Sequence, residues 1–396
     1  MSRKILWFIC LVVLIVPLLL VSCGGGGGTT ITNISDNSGD SSSPRLVVDR
    51  DNGLHLVWFD LSTGTNQIMY VEKTTDSVWT KPLNLSNSLS NSRSPKVVVN
   101  SQGTTHVTWH EYADGKFRIF YSQKPKGGTW SEPYNVTSRR EASTYPGLAV
   151  DNQGTVHLVW EEDTLKEDTE LYYTDIYYAS RNPDGTWSEA VSVSHNDGDS
   201  AYPSIAVDSQ DNLHVVWEDN TLGIHQIFYA TQPKGGTWSE PVNISNTTVD
   251  SEDPIYPVMV MDSRDTIHVA WHDISIGNWE ILYVSKPKDA PWSQPMNLSR
   301  NISNSGVPAL AVDRNDNLYL VWNDDSPGNF DIFYLSKTRD GTWGKVINIS
   351  ETSSKSGDPS IAVDNVNRVH VVWSEYITDK INWDIVYTSR LDIGAD

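Results

Sequence analysis

IAVDSQDNLHVVWEDNTLGIHQIFYATQPKGGTWSEPVNIS (Ile205–Ser245) decides the fold. It predicts four short strands. Ile205–Asp208 is the first, and a polar turn follows. Leu213–Trp217 is the second, alternating and β-branched. Ile227–Ala230 is the third, followed by a Gly-Gly turn, and Trp238–Ser245 is the fourth. Runs of four to six residues punctuated by Asp, Asn, Gly and Pro are the signature of a sheet.

The unit recurs along the chain. Its second strand ends in Trp58, Trp109, Trp160, Trp217, Trp271, Trp322 and Trp373, at steps of 51 to 57 residues. Three residues before each Trp stands His55, His106, His157, His214, His268, Tyr319 or His370. The third strand carries Tyr70, Tyr121, Tyr178, Tyr229, Tyr283, Tyr334 and Tyr387. A second Trp (Trp79, Trp130, Trp187, Trp238, Trp292, Trp343) opens only six fourth strands. The missing one lies at the other end of the chain, where Ile31-Thr32-Asn33-Ile34-Ser35 matches Val346-Ile347-Asn348-Ile349-Ser350. An N-terminal strand that completes the last unit closes a ring. The expected fold is therefore all-β, a seven-bladed β-propeller of four-stranded blades. Blades run Pro44–Ser86, Pro95–Thr137, Pro146–Ser194, Pro203–Ser245, Pro257–Ser299, Pro308–Ser350 and Pro359–Arg390, the last borrowing residues 29–35.

Residues 1–22 read as a signal segment: Arg3 and Lys4 precede an apolar run from Ile5 to Leu20. Leu20-Val21-Ser22-Cys23 resembles a bacterial lipobox, which implies that Cys23 is lipidated. Gly24–Gly28 is a flexible tether, and residues 29–396 form the propeller. The expected location is the cell envelope, the outer membrane in a Gram-negative host, with membrane contact through the lipid only. Net charge is −21 and becomes −23 once Arg3 and Lys4 leave, which excludes nucleic acid as a partner. The domain is expected to be a monomer without a cofactor.

Ser180-Arg181-Asn182-Pro183-Asp184-Gly185-Thr186-Trp187 and Ser336–Trp343 resemble degenerate Asp-boxes, and Thr231–Trp238 is similar. Asp-box (BNR) repeats mark the sialidase-like propellers. The resemblance covers essentially all of the chain after the tether and implies that these turns lie opposite the functional face.

Residues found in every blade serve a need of every blade. The repeated His, near Asp49, Asp151, Asp208, Asp262, Asp313 and Asp364, is read as a cap on its own hairpin rather than an acid–base pair. Two residues after each strand-two Trp stands an acid: Asp60, Glu111, Glu162, Asp219, Asp273, Asp324 and Glu375. These rim acids form either a ring that takes Ca²⁺ or a cationic partner, or seven separate sets of loop hydrogen bonds. Opposite them stand Gln67, Arg118, Asp175, Gln226, Glu280, Asp331 and Asp384.

Departures from the repeat point to function. Phe117, His225, Trp279, Phe330 and Trp383 lie on loops between strands two and three. Tyr145, Tyr202 and Tyr256 precede the blade-opening Pro of three consecutive blades. Both loop sets emerge on one face of a propeller. Aromatic rings there, with Arg118, suit a sugar or peptide ligand. A longer loop, Thr164–Thr174, is expected to wall the same face. His110 and His272 also break the pattern but lie three blades apart, so no shared metal is expected.

A sialidase needs three arginines, an acid and a Tyr–Glu pair. Arg93, Arg118, Arg139, Arg140 and Arg300 are the available cations and form no evident triad, and an acidic rim repels an anionic sugar. The preferred expectation is a lipid-anchored propeller that binds glycan or peptide ligands without chemistry. A sialidase-like or other polysaccharide-active enzyme, and a protein-assembly scaffold, are the alternatives.

Overall fold

The computed structural model describes residues 30–391, except 75–76, 167–170, 248–254 and 275–276. The signal segment, Cys23 and the whole tether lie outside the described residues. Seven antiparallel sheets of four strands each make seven blades. In the fourth blade the strands are Ser200–Val207, Leu213–Asp219, Gln226–Gln232 and Val242–Asn243, from the channel outward. The first three are longer than the sequence pattern predicts. The outermost is a two-residue ladder, so Trp238 precedes it rather than opening it.

Each ladder pairs a strand-two Trp with a third-strand residue, as Trp217 faces Phe228. All seven of these Trp side chains are fully buried. Burying one removes about 200 Å² from water, worth roughly 5 kcal/mol at about 25 cal/mol per Å². Seven apolar clusters fill the seven spaces between blades. One joins Val216 and Ile227 of the fourth blade to Ile267, Val269 and Trp271 of the fifth. Another joins Leu56 and Trp58 of the first blade to Val372, Ile385 and Tyr387 of the last. The second Trp of six blades meets the third-strand Tyr of the preceding blade edge-on, at 4.8–5.5 Å between ring centroids.

Ring closure is as expected. Thr32–Asn33 pairs with Val386 and Tyr387, completing the last blade. Asn33 and Ser35 donate to Asp384 at 2.7 and 3.2 Å, and Ile34 packs beside Trp79 in the closing cluster.

The repeated His is structural. His214 Nδ1 meets the Tyr229 hydroxyl at 2.8 Å, and His370 meets Tyr387 at 2.9 Å. The Nε2 of His370 reaches Asp364 at 3.3 Å. In the sixth blade Tyr319 replaces the His and donates directly to Asp313 at 3.0 Å. The turn carboxylate also closes the hairpin, as Asp208 does by accepting the amides of Gln210 and Asn212.

Candidate functional site

The inner strand is what positions the site. In six blades its ladder shifts register around the blade-opening Pro. Pro has no N–H to give the ladder, so the strand bulges there. The residue before each Pro sits at positive φ: Ser43, Ser94, Tyr145, Tyr202, Tyr256, Val307 and Asp358, at 26–53°. The same positive-φ kink repeated seven times turns seven side chains to one mouth of the central channel. This mouth lies on the face of the loops joining strands two and three, as the sequence implies. A cavity of about 560 Å³ opens there.

Half of the mouth is aromatic. Tyr145 meets Tyr202 at 4.6 Å and Tyr202 meets Tyr256 at 4.3 Å between centroids. The row extends one way through His110 (5.4 Å) and Phe117 (5.3 Å) to Tyr112. It extends the other way through His272 (5.6 Å) to Trp279 (4.8 Å). Eight rings from four consecutive blades thus form one arc. The other side is cationic, with Arg45, Arg93 and Lys96 facing the same cavity. The Asn66 amide, turned oxygen-first, accepts from Arg93 Nε and Nη2 at 2.8 and 2.9 Å.

Bulge amides need acceptors, and the neighbouring blade supplies them. Tyr145 N–H donates to His110 Nδ1 at 3.2 Å, and Tyr202 N–H to Glu161 at 3.2 Å. Ile255 N–H donates to Glu218 at 2.8 Å and Val307 N–H to His272 Nδ1 at 3.4 Å. His110 and His272 therefore break the sequence pattern as cross-blade acceptors. With Nδ1 taken, the free N–H of His110 is on Nε2. Its burial, with Arg93 nearby, lowers its pKa to about 4, so the ring is neutral. Burial raises the Glu161 carboxyl to about 7. Burial also raises the Tyr145, Tyr202 and Tyr256 hydroxyls.

Several expected site residues take other roles. The rim acids are not a solvent-facing ring: Asp60, Glu111, Glu162, Asp219, Asp273, Asp324 and Glu375 are all buried. Each accepts the indole N–H of the Trp two residues before it, at 2.8–3.3 Å. Six also accept a Ser hydroxyl that opens the inner strand, as Asp219 does from Ser200 at 2.9 Å. These bonds lock the inner strand to the second. Among the described residues no group of three or more His, Cys, Asp or Glu is arranged to hold a metal.

Arg118 is buried and donates to the backbone carbonyls of Arg140 and Glu141, so it pins a loop. Arg140 pairs with Glu162 at 2.7 Å, and Arg300 donates to the Asn297 carbonyl at 2.9 Å. His225 lies on Glu218 at 2.5 Å. Trp383 packs on Tyr376, apart from the arc, and neither it nor Phe330 lines the cavity. Phe117, Tyr145, Tyr202 and Tyr256 do line it, and Trp279 ends the arc. The stretch Thr164–Thr174 is no loop where it is described. It continues the hairpin ladder out to Lys166 opposite Leu171, with Leu165 and Tyr172 exposed. Arg45 and Lys96 are not among the residues expected at the site, although both follow a blade-opening Pro and so sit at a fixed place in the repeat.

No protein-family profile and no curated protein sequence matches the chain. Solved structures do. An ulvan lyase of polysaccharide lyase family 25, bound to a -[GlcA(1-4)Rha3S]- unit, is 12% identical with a TM-score of 0.63, covering 92% of this chain and 96% of that one. An intramolecular trans-sialidase from Ruminococcus gnavus, in complex with oseltamivir carboxylate, is 10% identical with a TM-score of 0.53, covering 90% and 96%. A protein of unknown function from Dyadobacter fermentans is 11% identical with a TM-score of 0.56, covering 91% and 98%. In fold, this chain resembles the sialidase-like and polysaccharide-lyase propellers.

Proposed function

We propose that the channel mouth binds an acidic glycan. The aromatic arc stacks on sugar rings while Arg45 and Arg93 take a carboxylate or sulfate. The observation that carries this reading is the meeting of five rings of the arc (His110, Phe117, Tyr145, Tyr202 and Tyr256) with Arg45 and Arg93 at one cavity. Rings stack on the apolar faces of pyranoses, and guanidinium matches carboxylate or sulfate oxygens in pairs. The acids expected to repel such a ligand are turned inward and already bonded. Two similar structures hold acidic ligands, a glucuronate–sulforhamnose unit and a carboxylate.

Binding without cleavage is the first reading, because the obvious proton acceptors at the mouth are engaged or poor. His110 has spent its Nδ1, and the Tyr hydroxyls hold their protons. Cleavage is the second reading, favoured by one observation: Glu161 accepts the Tyr202 backbone N–H at 3.2 Å, which brings a carboxyl group close to the mouth's tyrosines, and a sialidase-like hydrolase requires a Tyr and a Glu together. A glycan array probed with residues 29–396, then re-probed for cleaved sugars, separates these. Retention of uronate or sulfated glycans, weakened about tenfold or more by Tyr202→Ala or Arg45→Gln, supports binding. Loss of sugar from the array supports cleavage, and silence in both leaves the scaffold reading. Retention is expected to survive EDTA, since the reading uses no metal.

The proposal includes a monomer held in a bacterial envelope by a lipidated Cys23. Metabolic labelling with an alkyne fatty acid is expected to mark the wild type and not Cys23→Ala.

A further inference from the structure

One group in the cavity is not used by the glycan reading. Lys96 follows Pro95 and is the innermost residue of its blade. Its counterparts are Arg45, Gly147, Ser204, Val258, Ala309 and Ser360. Five small or medium residues leave open space before the two long cations. Lysines elsewhere find carboxylates: Lys124 lies 2.6 Å from Glu72, and Lys288 lies 2.6 Å from Asp265. Among the described residues the Lys96 side chain has neither an ion pair nor a hydrogen bond, while its backbone sits in the ladder opposite Thr108. Arg45, from the adjacent blade, donates only to the Pro44 carbonyl at 2.8 Å.

The other charged or titratable groups at this cavity are Arg93 on the same strand, His110 on the second strand of the blade, Tyr145, Tyr202 and Tyr256 from the next three blades, and Asp358 from the last. Only Asp358 is an acid, and it already accepts from Ser42 at 2.9 Å. Burial, with Arg45 repelling from beside it, lowers the Lys96 amine to about 7. An amine desolvated beside another cation is a nucleophile at neutral pH.

We propose that Lys96 is a covalent capture site for an anionic carbonyl compound, a 2-oxo acid or an aldehyde acid, whose carboxylate is held by Arg45. Nζ adds its lone pair to the carbonyl carbon and a C–N bond forms. The resulting carbinolamine loses the former carbonyl oxygen as water, which carries away both amine protons. An imine remains. Hydride from borohydride, with a proton from solvent, converts it to a stable secondary amine. This site does not depend on the glycan reading: capture can succeed on a protein that retains no sugar.

The test incubates the purified protein with glyoxylate and sodium borohydride at pH 7 and maps the adducts by peptide mass spectrometry. Lys96 is expected to react at least about tenfold faster than the exposed Lys81, Lys126 and Lys345, because far more of it is unprotonated. Lys96→Arg is expected to remove that adduct. Arg45→Gln is expected to slow glyoxylate and leave acetaldehyde, which has no carboxylate, unchanged. Labelling spread evenly over the lysines, or equal rates for the two aldehydes, overturns the proposal. The wild-type rate supplies a check that needs no variant. Its pH profile is expected to turn over near 7, and a midpoint in the range of an ordinary lysine overturns the site.

Discussion

Asp219 shows how much of the repeat is spent on holding itself together. Its carboxylate takes the Trp217 indole N–H, the Ser200 hydroxyl and the Asn196 amide. Asp219→Ala strands these donors in a buried place, and each unsatisfied group there costs about 1–3 kcal/mol. The expected loss is roughly 3 kcal/mol or more, read from urea melts, with Tyr202→Ala costing much less because its ring is half-exposed at the mouth. The spacing of the seven acids was legible in the sequence, but their direction was not. One residue separates a side chain that faces the channel from one that faces the next blade, and the bulge before each Pro resets that alternation. The Tyr triad was legible because three rings at one repeat position cannot all meet a structural need. Arg45 and Lys96 were not, since a lone cation after a Pro reads as ordinary surface. Val307 is a second residue-scale case. A β-branched side chain at φ 49° is strained, and Val307→Asn is expected to gain up to about 1 kcal/mol in the same melts.

The bulged inner strand is the element on which both structure and site depend. It needs an acceptor from the neighbouring blade for its freed amide, and Glu161 serves Tyr202 while also accepting the Thr144 hydroxyl at 2.5 Å. Burial there raises the carboxyl from 4.5 to about 7. The folded protein therefore keeps a proton that the unfolded chain releases near 4.5. Stability from this group is full below pH 4.5 and falls as pH rises to about 7, above which both states are ionised and the buried charge is a net cost. Glu161→Gln keeps an oxygen for Tyr202 N–H and cannot ionise. It is expected to flatten the decline in melting temperature between pH 4.5 and 7 and to melt higher than wild type at pH 8. A variant that follows the wild-type profile would show that Glu161 is not the titrating group. Such cross-blade pairs are invisible in a linear reading, because Glu161 and Tyr202 are joined only by the blade-to-blade geometry. Strand existence was legible throughout from the recurring Trp, while strand length was not: ladder bonds beyond the apolar run depend on Ser and Asp side chains that carry no strand signal.

At the scale of the whole molecule, closure rests on an outer strand borrowed from the other end of the chain. Six blades place a second Trp on the preceding Tyr, and the last blade has none to offer, since its outer strand is the segment Ile31–Ser35. The seam between the last and first blades keeps its Trp–Tyr pair and is held from both sides. Trp79 of the first blade packs edge-on against Tyr387 at 5.3 Å, and Lys73 lies 5.5 Å over the same ring. The N-terminal strand adds its ladder to Tyr387 and Val386 and its side-chain bonds to Asp384. Removing it exposes the edge of the Asn382–Leu391 strand, uncovers Trp79 and leaves Asp384, fully buried, without its Asn33 and Ser35 donors. In a ring, a loosened seam cannot be capped by a neighbour, and an unpaired edge recruits other chains. A chain beginning after Asp36 is therefore expected to melt well below the intact domain and to associate in size-exclusion chromatography. A synthetic peptide of residues 30–36 added in excess is expected to restore part of the melting temperature, because it rebuilds both the ladder and the Asp384 bonds by mass action. The same peptide with Asn33→Ala and Ser35→Ala keeps the backbone ladder and lacks those donors. It is expected to rescue less, and equal rescue by the two peptides would show that the ladder alone closes the ring.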